Sequence, residues 1–285
     1  MNVYQTVMMD LDGTVLTPRN TVTDELRNYL KVLRKRGVHI FAVTGRSYGT
    51  AWEVLPQDFP VDGMVTANGM AVYVGTTNIF QGVLPERLAP ELVRRAERAE
   101  LYYELIPTAG GRVTLVRDRP YILEQVHGAK PDSVSENEWL SRLQAVNQTI
   151  AWEKTIAESE YSSTSKMYFF SRDAGKIRRW KQELTELSRE IPFEVFSSSP
   201  NNAEVTAKGI SKASGLRILF DRCRLSFESA LAVGDGENDL PMFQIAGHSA
   251  AMKNAPDHIK EQADEVTDYS CAENGLCRFL KKTFD

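Results

Sequence analysis

A chain of 285 residues, 42% hydrophobic and 25% charged, has the make-up of an ordinary globular protein long enough for two modest domains. A formal net charge of −4 argues against a scaffold built to grip nucleic acid or an anionic membrane, and no apolar run approaches the ~18 residues of a membrane span. Cys223, Cys271 and Cys277 lack CxxC spacing and the four histidines are scattered, so neither a disulfide framework nor a zinc site is expected and a reducing cytoplasm is the expected home.

Residues 3–9 predict a buried strand that runs straight into Met8-Met9-Asp10-Leu11-Asp12-Gly13-Thr14. No basic segment followed by an apolar one precedes it, so no leader peptide is expected. If the strand ends at Asp10, the following loop can curl so that Asp10, Asp12 and several backbone N–H groups converge, a place for a cation and an anion together. A solvated acidic turn is the plainer alternative. Thr21 or Thr23 then caps a helix to Arg36, with Leu26, Leu30 and Leu33 at helical spacing and Gly37 as its stop. Val38 to Val43 predicts a second strand, ending at Thr44-Gly45-Arg46. A helix over Tyr48 to Leu55 and a strand over Met64 to Thr66 follow, leading into Asn68-Gly69, with a hairpin at 73–75 and 79–80. Short apolar strands alternating with helices are the pattern of a parallel sheet with crossovers.

The texture changes after about Gly82. Pro85 and Pro90 bracket a charged helix to Glu100, and β-like runs follow at 101–106, 112–117 and 120–126. A helix from Glu136 to Val146, strands at 150–156 and 166–170, a helix from Asp173 to Glu190 and a strand from Phe193 to Phe196 complete this stretch. Strands in succession predict an antiparallel sheet with helices on one face, an α+β unit inserted into an α/β domain. Lys208-Gly209 is read as the start of the next helix, carrying Ile210, Ala213, Leu216 and Leu219. Ser229 to Val233 predicts a strand running into Gly234-Asp235-Gly236-Glu237-Asn238-Asp239, and α/β texture continues to the end. The basic clusters Arg34-Lys35-Arg36, Arg94-Arg95 and Arg178-Arg179 each have acids nearby and read as solvated helix faces. The expected organisation is a core of residues 1–82 and 197–285 around a cap of 83–196.

In an open α/β sheet, ligands bind beyond the carboxyl ends of the strands. Three predicted strands therefore deliver Asp10, Thr44 and Asp235 to one sheet edge. Carboxylate and carbonyl oxygens are hard donors that suit Mg²⁺ and do not suit zinc. Lys208 at a helix start would add a cation and free backbone N–H groups for a phosphate.

These segments, in order, resemble the four motifs of the haloacid dehalogenase superfamily: Asp10-Leu11-Asp12-Gly13-Thr14, Thr44-Gly45-Arg46, Lys208, and Gly234-Asp235-Gly236-Glu237-Asn238-Asp239. The cap between the second and third motifs resembles the Cof-type branch, as do Thr66-Ala67-Asn68-Gly69, Lys208-Gly209-Ile210-Ser211-Lys212 and Ala251-Met252-Lys253-Asn254-Ala255. The resemblance implies a doubly wound, mainly parallel, Rossmann-like sheet with an inserted α+β cap. It also implies a two-step phosphoryl transfer. Asp10 is the implied nucleophile, forming an aspartyl-phosphate, and Asp12 the implied general acid and base. Mg²⁺ would be held by Asp10, the Asp12 carbonyl and Asp235. Thr44, Gly45 and Lys208 would bind non-bridging phosphate oxygens, and Asn238 phosphate or substrate. Asp239 would hold the metal through water or orient Lys208, and Arg46 would touch substrate or pair with a carboxylate. Asn68-Gly69 reads equally as a plain turn, and His248 as structural.

The expected activity is a Mg²⁺-dependent phosphatase of small phosphorylated metabolites, sugar phosphates first among them, without nucleic-acid or membrane partners. The oligomeric state is not legible. A dehalogenase would need no second acid at Asp12 and no Mg²⁺; a sugar phosphomutase is the nearer alternative. A non-catalytic sugar-phosphate-binding module would have no use for both acids.

Overall fold

The computed structural model describes residues 4–285; Val3, read as the start of the first strand, lies outside the described residues. The chain forms β1 (Thr6–Met9), β2 (His39–Val43), β3 (Gly63–Thr66), β4 (Ala71–Val74) and β5 (Thr77–Gln81). It continues through β6 (Tyr102–Pro107), β7 (Arg112–Leu115), β8 (Ile150–Glu153), β9 (Thr164–Phe170), β10 (Phe193–Phe196) and β11 (Asn202–Ala207). It closes with β12 (Ala230–Gly234), β13 (His248–Ala251) and β14 (Glu265–Val266).

Two compact units result, one of Met1–Phe80 with Ser211–Asp285 and the other of Gln81–Ile210. The first holds an eight-stranded sheet in the order β14-β13-β12-β1-β2-β3-β4-β5, parallel from β14 through β3. Its central strands β1, β2, β3 and β12 are mostly apolar because both faces are covered. Successive residues of β1 divide accordingly: Val7 and Met9 join one core with Leu26, Leu30 and Leu33 of the helix Asp24–Lys35, and Met8 joins the other with Leu216 and Leu219 of the helix Lys212–Cys223. Each such leucine contributes about 1.5–3 kcal/mol by leaving water. Thr23, one of the two caps expected, accepts the Leu26 N–H at 3.2 Å. The strands run outward from the β1/β12 pair in opposite directions, so the chain reverses its winding where β1 and β12 meet. In open α/β sheets, ligands bind beyond the carboxyl ends of the strands at such a reversal.

The second unit holds a six-stranded sheet in the order β10-β11-β9-β6-β7-β8. It is antiparallel as expected except at β7 and β8, which pair in parallel. The helices Arg119–Glu124 and Glu136–Gln144 lie between those two strands and supply the crossover a parallel pair needs. The first of them corrects the strand expected at 120–126. Pro120 has no N–H for a ladder and suits a first helical turn, and Ile122 and Val126 are buried at helical spacing. One face of the sheet carries Tyr103, Leu105, Met167, Phe169 and Val205 into an apolar core. The other carries buried charges: Glu104 accepts from Tyr102 and Arg142, both at 2.5 Å, and pairs with Arg112 at 3.1 Å, while Lys166 and Glu204 lie 2.6 Å apart.

The boundary expected at 196/197 falls too early. β11 pairs with both β10 and β9, so the inserted unit keeps the chain until Ile210. Among the described residues no helix is long and apolar enough to cross a membrane.

Candidate active site

β1 gives way at Asp10, whose N–H still donates to the Val233 carbonyl of β12 at 3.0 Å. The turn that follows needs glycine: Gly13 has φ +80°, and a Cβ there would stand 2.0 Å from Asp235 Oδ2. The loops after β1 and β12 therefore touch directly, and they bring Asp10 and Asp235 together from opposite ends of the sequence. Oxygens of Asp10, Asp235 and Asp239 lie within 4.8 Å of one another.

The cation among them is Lys212, which is fully buried and donates to Asp10 Oδ1 at 2.6 Å and Asp239 Oδ1 at 2.7 Å. This corrects the assignment of Lys208. The helix does not begin at Lys208-Gly209, because Gly209 has φ +74° and ends a turn after β11. It begins at Lys212 under a Ser211 cap, with Ser211 Oγ accepting the Ser214 N–H at 3.3 Å and Ser214 Oγ accepting the Ser211 N–H at 2.9 Å. Lys208 belongs to the inserted unit, is two-thirds exposed, and pairs with Glu194 at 3.4 Å. The signal for Lys212 was present in sequence: Ser211 is a better cap than any residue at Lys208-Gly209. Gly215, one turn on, allows the helix to settle on β3, since a Cβ there would be 2.5 Å from Val65 Cγ1.

Asp239 is fully committed. Its Oδ2 accepts the backbone N–H groups of Asp235 at 2.9 Å and Gly236 at 3.0 Å, while Oδ1 takes Lys212. Of the two roles expected for it, the contact seen is the orienting one, with Lys212 in place of Lys208. Asp12 points elsewhere, held bidentately by Arg46 at 2.8 Å from Nε and 2.6 Å from Nη2. Arg46 thus pairs with a carboxylate, one of the two roles open to it, and also donates to Asn20. Thr44 is buried after β2 and its Oγ1 accepts the Arg46 N–H at 3.1 Å; Gly45 is half-buried between them.

Asn68 is more than a turn residue. Ala67 and Asn68 have φ values of 49° and 56°, a strained conformation for side chains other than glycine. The strained turn is fixed by Ala67 N–H to the Arg46 carbonyl at 2.7 Å and Asn68 N–H to the Thr44 carbonyl at 3.1 Å. It holds Asn68 Oδ1 3.1 Å from Nδ2 of the buried Asn238. The sequence left this pairing unread, because nothing local links residues so far apart.

Electrostatics define what the site lacks. Burial, helped by Asp239 and Asp12, outweighs the pull of Lys212 and raises the Asp10 carboxyl to about 8. Burial, then Asp10 and Asp239, raise Asp235 well above the usual carboxylate range. Burial works against the Lys212 ammonium, but Asp10 and Asp239 outweigh it and raise its pKa. Three carboxylates around one ammonium leave an excess of negative charge out of water. An all-oxygen donor set with that excess fits a hard divalent cation.

The family model for haloacid dehalogenase-like hydrolases matches residues 7–280. A 5-amino-6-(5-phospho-D-ribitylamino)uracil phosphatase of Bacillus subtilis, YcsE, is 25% identical over 275 residues, covering 96% of this chain and 94% of its own. Among solved structures, a haloacid dehalogenase-like hydrolase from B. subtilis superposes with a TM-score of 0.81 at 22% identity, covering 97% of this chain and 99% of its own. The subclass IIB sugar phosphatase BT4131 gives 0.73 at 20% identity, with 98% of both chains covered. The chain belongs to the haloacid dehalogenase-like hydrolases, in their Cof-type branch, and is a phosphoric monoester hydrolase.

Proposed function

We propose that the protein is a Mg²⁺-dependent phosphatase of small phosphorylated metabolites and that phosphate esters of sugars or sugar alcohols are its substrates. The observation that carries this reading is the buried cluster of Asp10, Asp235 and Asp239 around Lys212 at the carboxyl end of β1 and β12. A relative named for a phosphorylated ribityl compound and a structural neighbour titled a sugar phosphatase support the substrate class.

In this reading Asp10 attacks phosphorus and carries the phosphoryl group as an acyl phosphate. Asp12 protonates the departing alcohol, then takes a proton from the water that hydrolyses the acyl phosphate. Lys212 favours the ionised form of Asp10, orients it, and offers positive charge to the non-bridging oxygens. Thr44 and the Gly45 N–H would bind those oxygens too, and Asn238, bonded to Asn68, would contact phosphate or substrate. Asp10, Asp235 and the Asp12 carbonyl would hold Mg²⁺. The ion supplies charge neutralisation between carboxylate and phosphate.

Asp10→Asn tests the proposal in an assay against a panel of sugar and sugar-alcohol phosphates with Mg²⁺. Loss of about 10⁴-fold or more in kcat is expected for a missing nucleophile. Substantial turnover by that variant, or wild-type turnover undiminished by a chelator, would overturn it.

A further inference from the structure

Asn254 stands just past the end of β13, in none of the roles assigned above. Its side chain nevertheless joins three separate parts of the chain. Nδ2 donates to the Gly13 carbonyl at 2.9 Å and to Asp235 Oδ2 at 3.0 Å. Oδ1 accepts the Cys271 backbone N–H at 2.9 Å, and since that partner can only donate, it fixes which end of the amide is oxygen.

We propose that Asn254 is a positioning residue for the divalent cation, acting through Asp235; the inference rests on the metal-dependent reading above. The two amide hydrogens are spent on the two loops that meet at the site, one from each half of the sheet. The Asp235 oxygen they fix is the one lying against Gly13, where even a Cβ would collide with it. An Asp235 carboxylate oxygen lies within 4.8 Å of oxygens of Asp10 and Asp239, and the tether on Oδ2 fixes the carboxylate that presents it. Without the amide, the Asp235 carboxylate is free to rotate about its last bond. The cation then has to order that carboxylate as it binds, at a cost in affinity. Partners of this outer kind are worth about 10–100-fold in metal affinity.

Asn254 is exposed, so its replacement spares the core. The test titrates Mn²⁺, in place of Mg²⁺, into the full chain and reads free Mn²⁺ by electron paramagnetic resonance. Asn254→Ala should bind about tenfold or more weakly. Asn254→Ser, whose hydroxyl is too short to span both partners, should do the same. Both variants should stay folded without metal, and the rise in melting temperature on adding Mn²⁺ should shrink relative to the wild type. Asp235→Asn should abolish binding. Folded Asn254 variants that bind Mn²⁺ within about twofold of the wild type would overturn the role of Asn254 alone. A wild-type chain that binds no Mn²⁺ would overturn the metal reading itself, and this inference with it.

Discussion

Lys212 pays twice for its position: its ammonium is out of water, and it sits in the first turn of a helix, where the positive end of the dipole repels it. Asp10 and Asp239 offset both costs, which is why its pKa rises despite burial. A residue held at that expense serves the site more than the fold. Lys212→Met should lower kcat/KM by about 10²–10³-fold, the loss expected when a preorganised positive group is taken from developing charge. Lys208→Ala should stay within about twofold of wild type, since Lys208 is largely exposed and pairs with Glu194. Steady-state kinetics on one phosphate ester decides the matter, and the reverse ranking would restore Lys208. The placement of Asp10, Thr44 and Asp235 at strand ends was legible because each follows a strand whose apolar run marks its own end. Lys212 is harder to read, since two lysines four residues apart compete for one role and only the Ser211 cap favours the second. The choice between them turns on whether Gly209 continues a helix or bends left-handed.

At the scale of elements, the polar face of the inserted sheet makes its own prediction. Burial pushes the Glu104 carboxyl up, but Arg142 and Arg112, helped by the Tyr102 hydroxyl, more than cancel this and leave it below the ordinary glutamate value. A carboxyl lowered on folding stabilises the protein above its unfolded pKa. That stability is lost as pH falls through the folded value. Glu104→Gln should therefore cost about 3–5 kcal/mol at pH 7, because it strands two buried guanidinium groups. The penalty should shrink toward pH 3. Urea titrations followed by tryptophan fluorescence at both pH values check this, and a penalty that does not depend on pH would refute it. None of this network was visible in the sequence, where Glu104 sits unremarked in an apolar run. Its partners come from β7 and from the helix Glu136–Gln144, and only strand register brings them together. The misread run at 120–126 has a similar cause: short apolar stretches do not distinguish strand from helix until Pro120 is weighed.

At the scale of the molecule, every carboxylate proposed for the cation lies in the unit of Met1–Phe80 and Ser211–Asp285. Saturating Mg²⁺ should slow amide hydrogen exchange in the segments around Asp10–Thr14 and Asp235–Asp239. Exchange in β6, β9 and β11 of the inserted unit should stay unchanged, since ligand binding protects the elements it ties together. Mass spectrometry of the exchanged protein with and without Mg²⁺ reads this directly, and protection spread evenly over both units would count against it. The layout of the sheet was the most legible feature of all. Alternating strands and helices, followed by an interruption and a return to the same texture, already imply one core written in two pieces.

The direct contact between Gly13 and Asp235 also bears on how the chain is made. Residues 81–210 emerge between the two halves of the core. During synthesis β1 must therefore wait for β12, its partner on one side, until after the insert has appeared. Closing so long a flexible loop costs about 4 kcal/mol of chain entropy. An insert that collapses on its own core first spends part of that cost in advance. Asp10 and Asp12 are thus synthesised before the insert and meet Asp235 only after it, so a chain stalled before Ala230 carries these two acids without their partner.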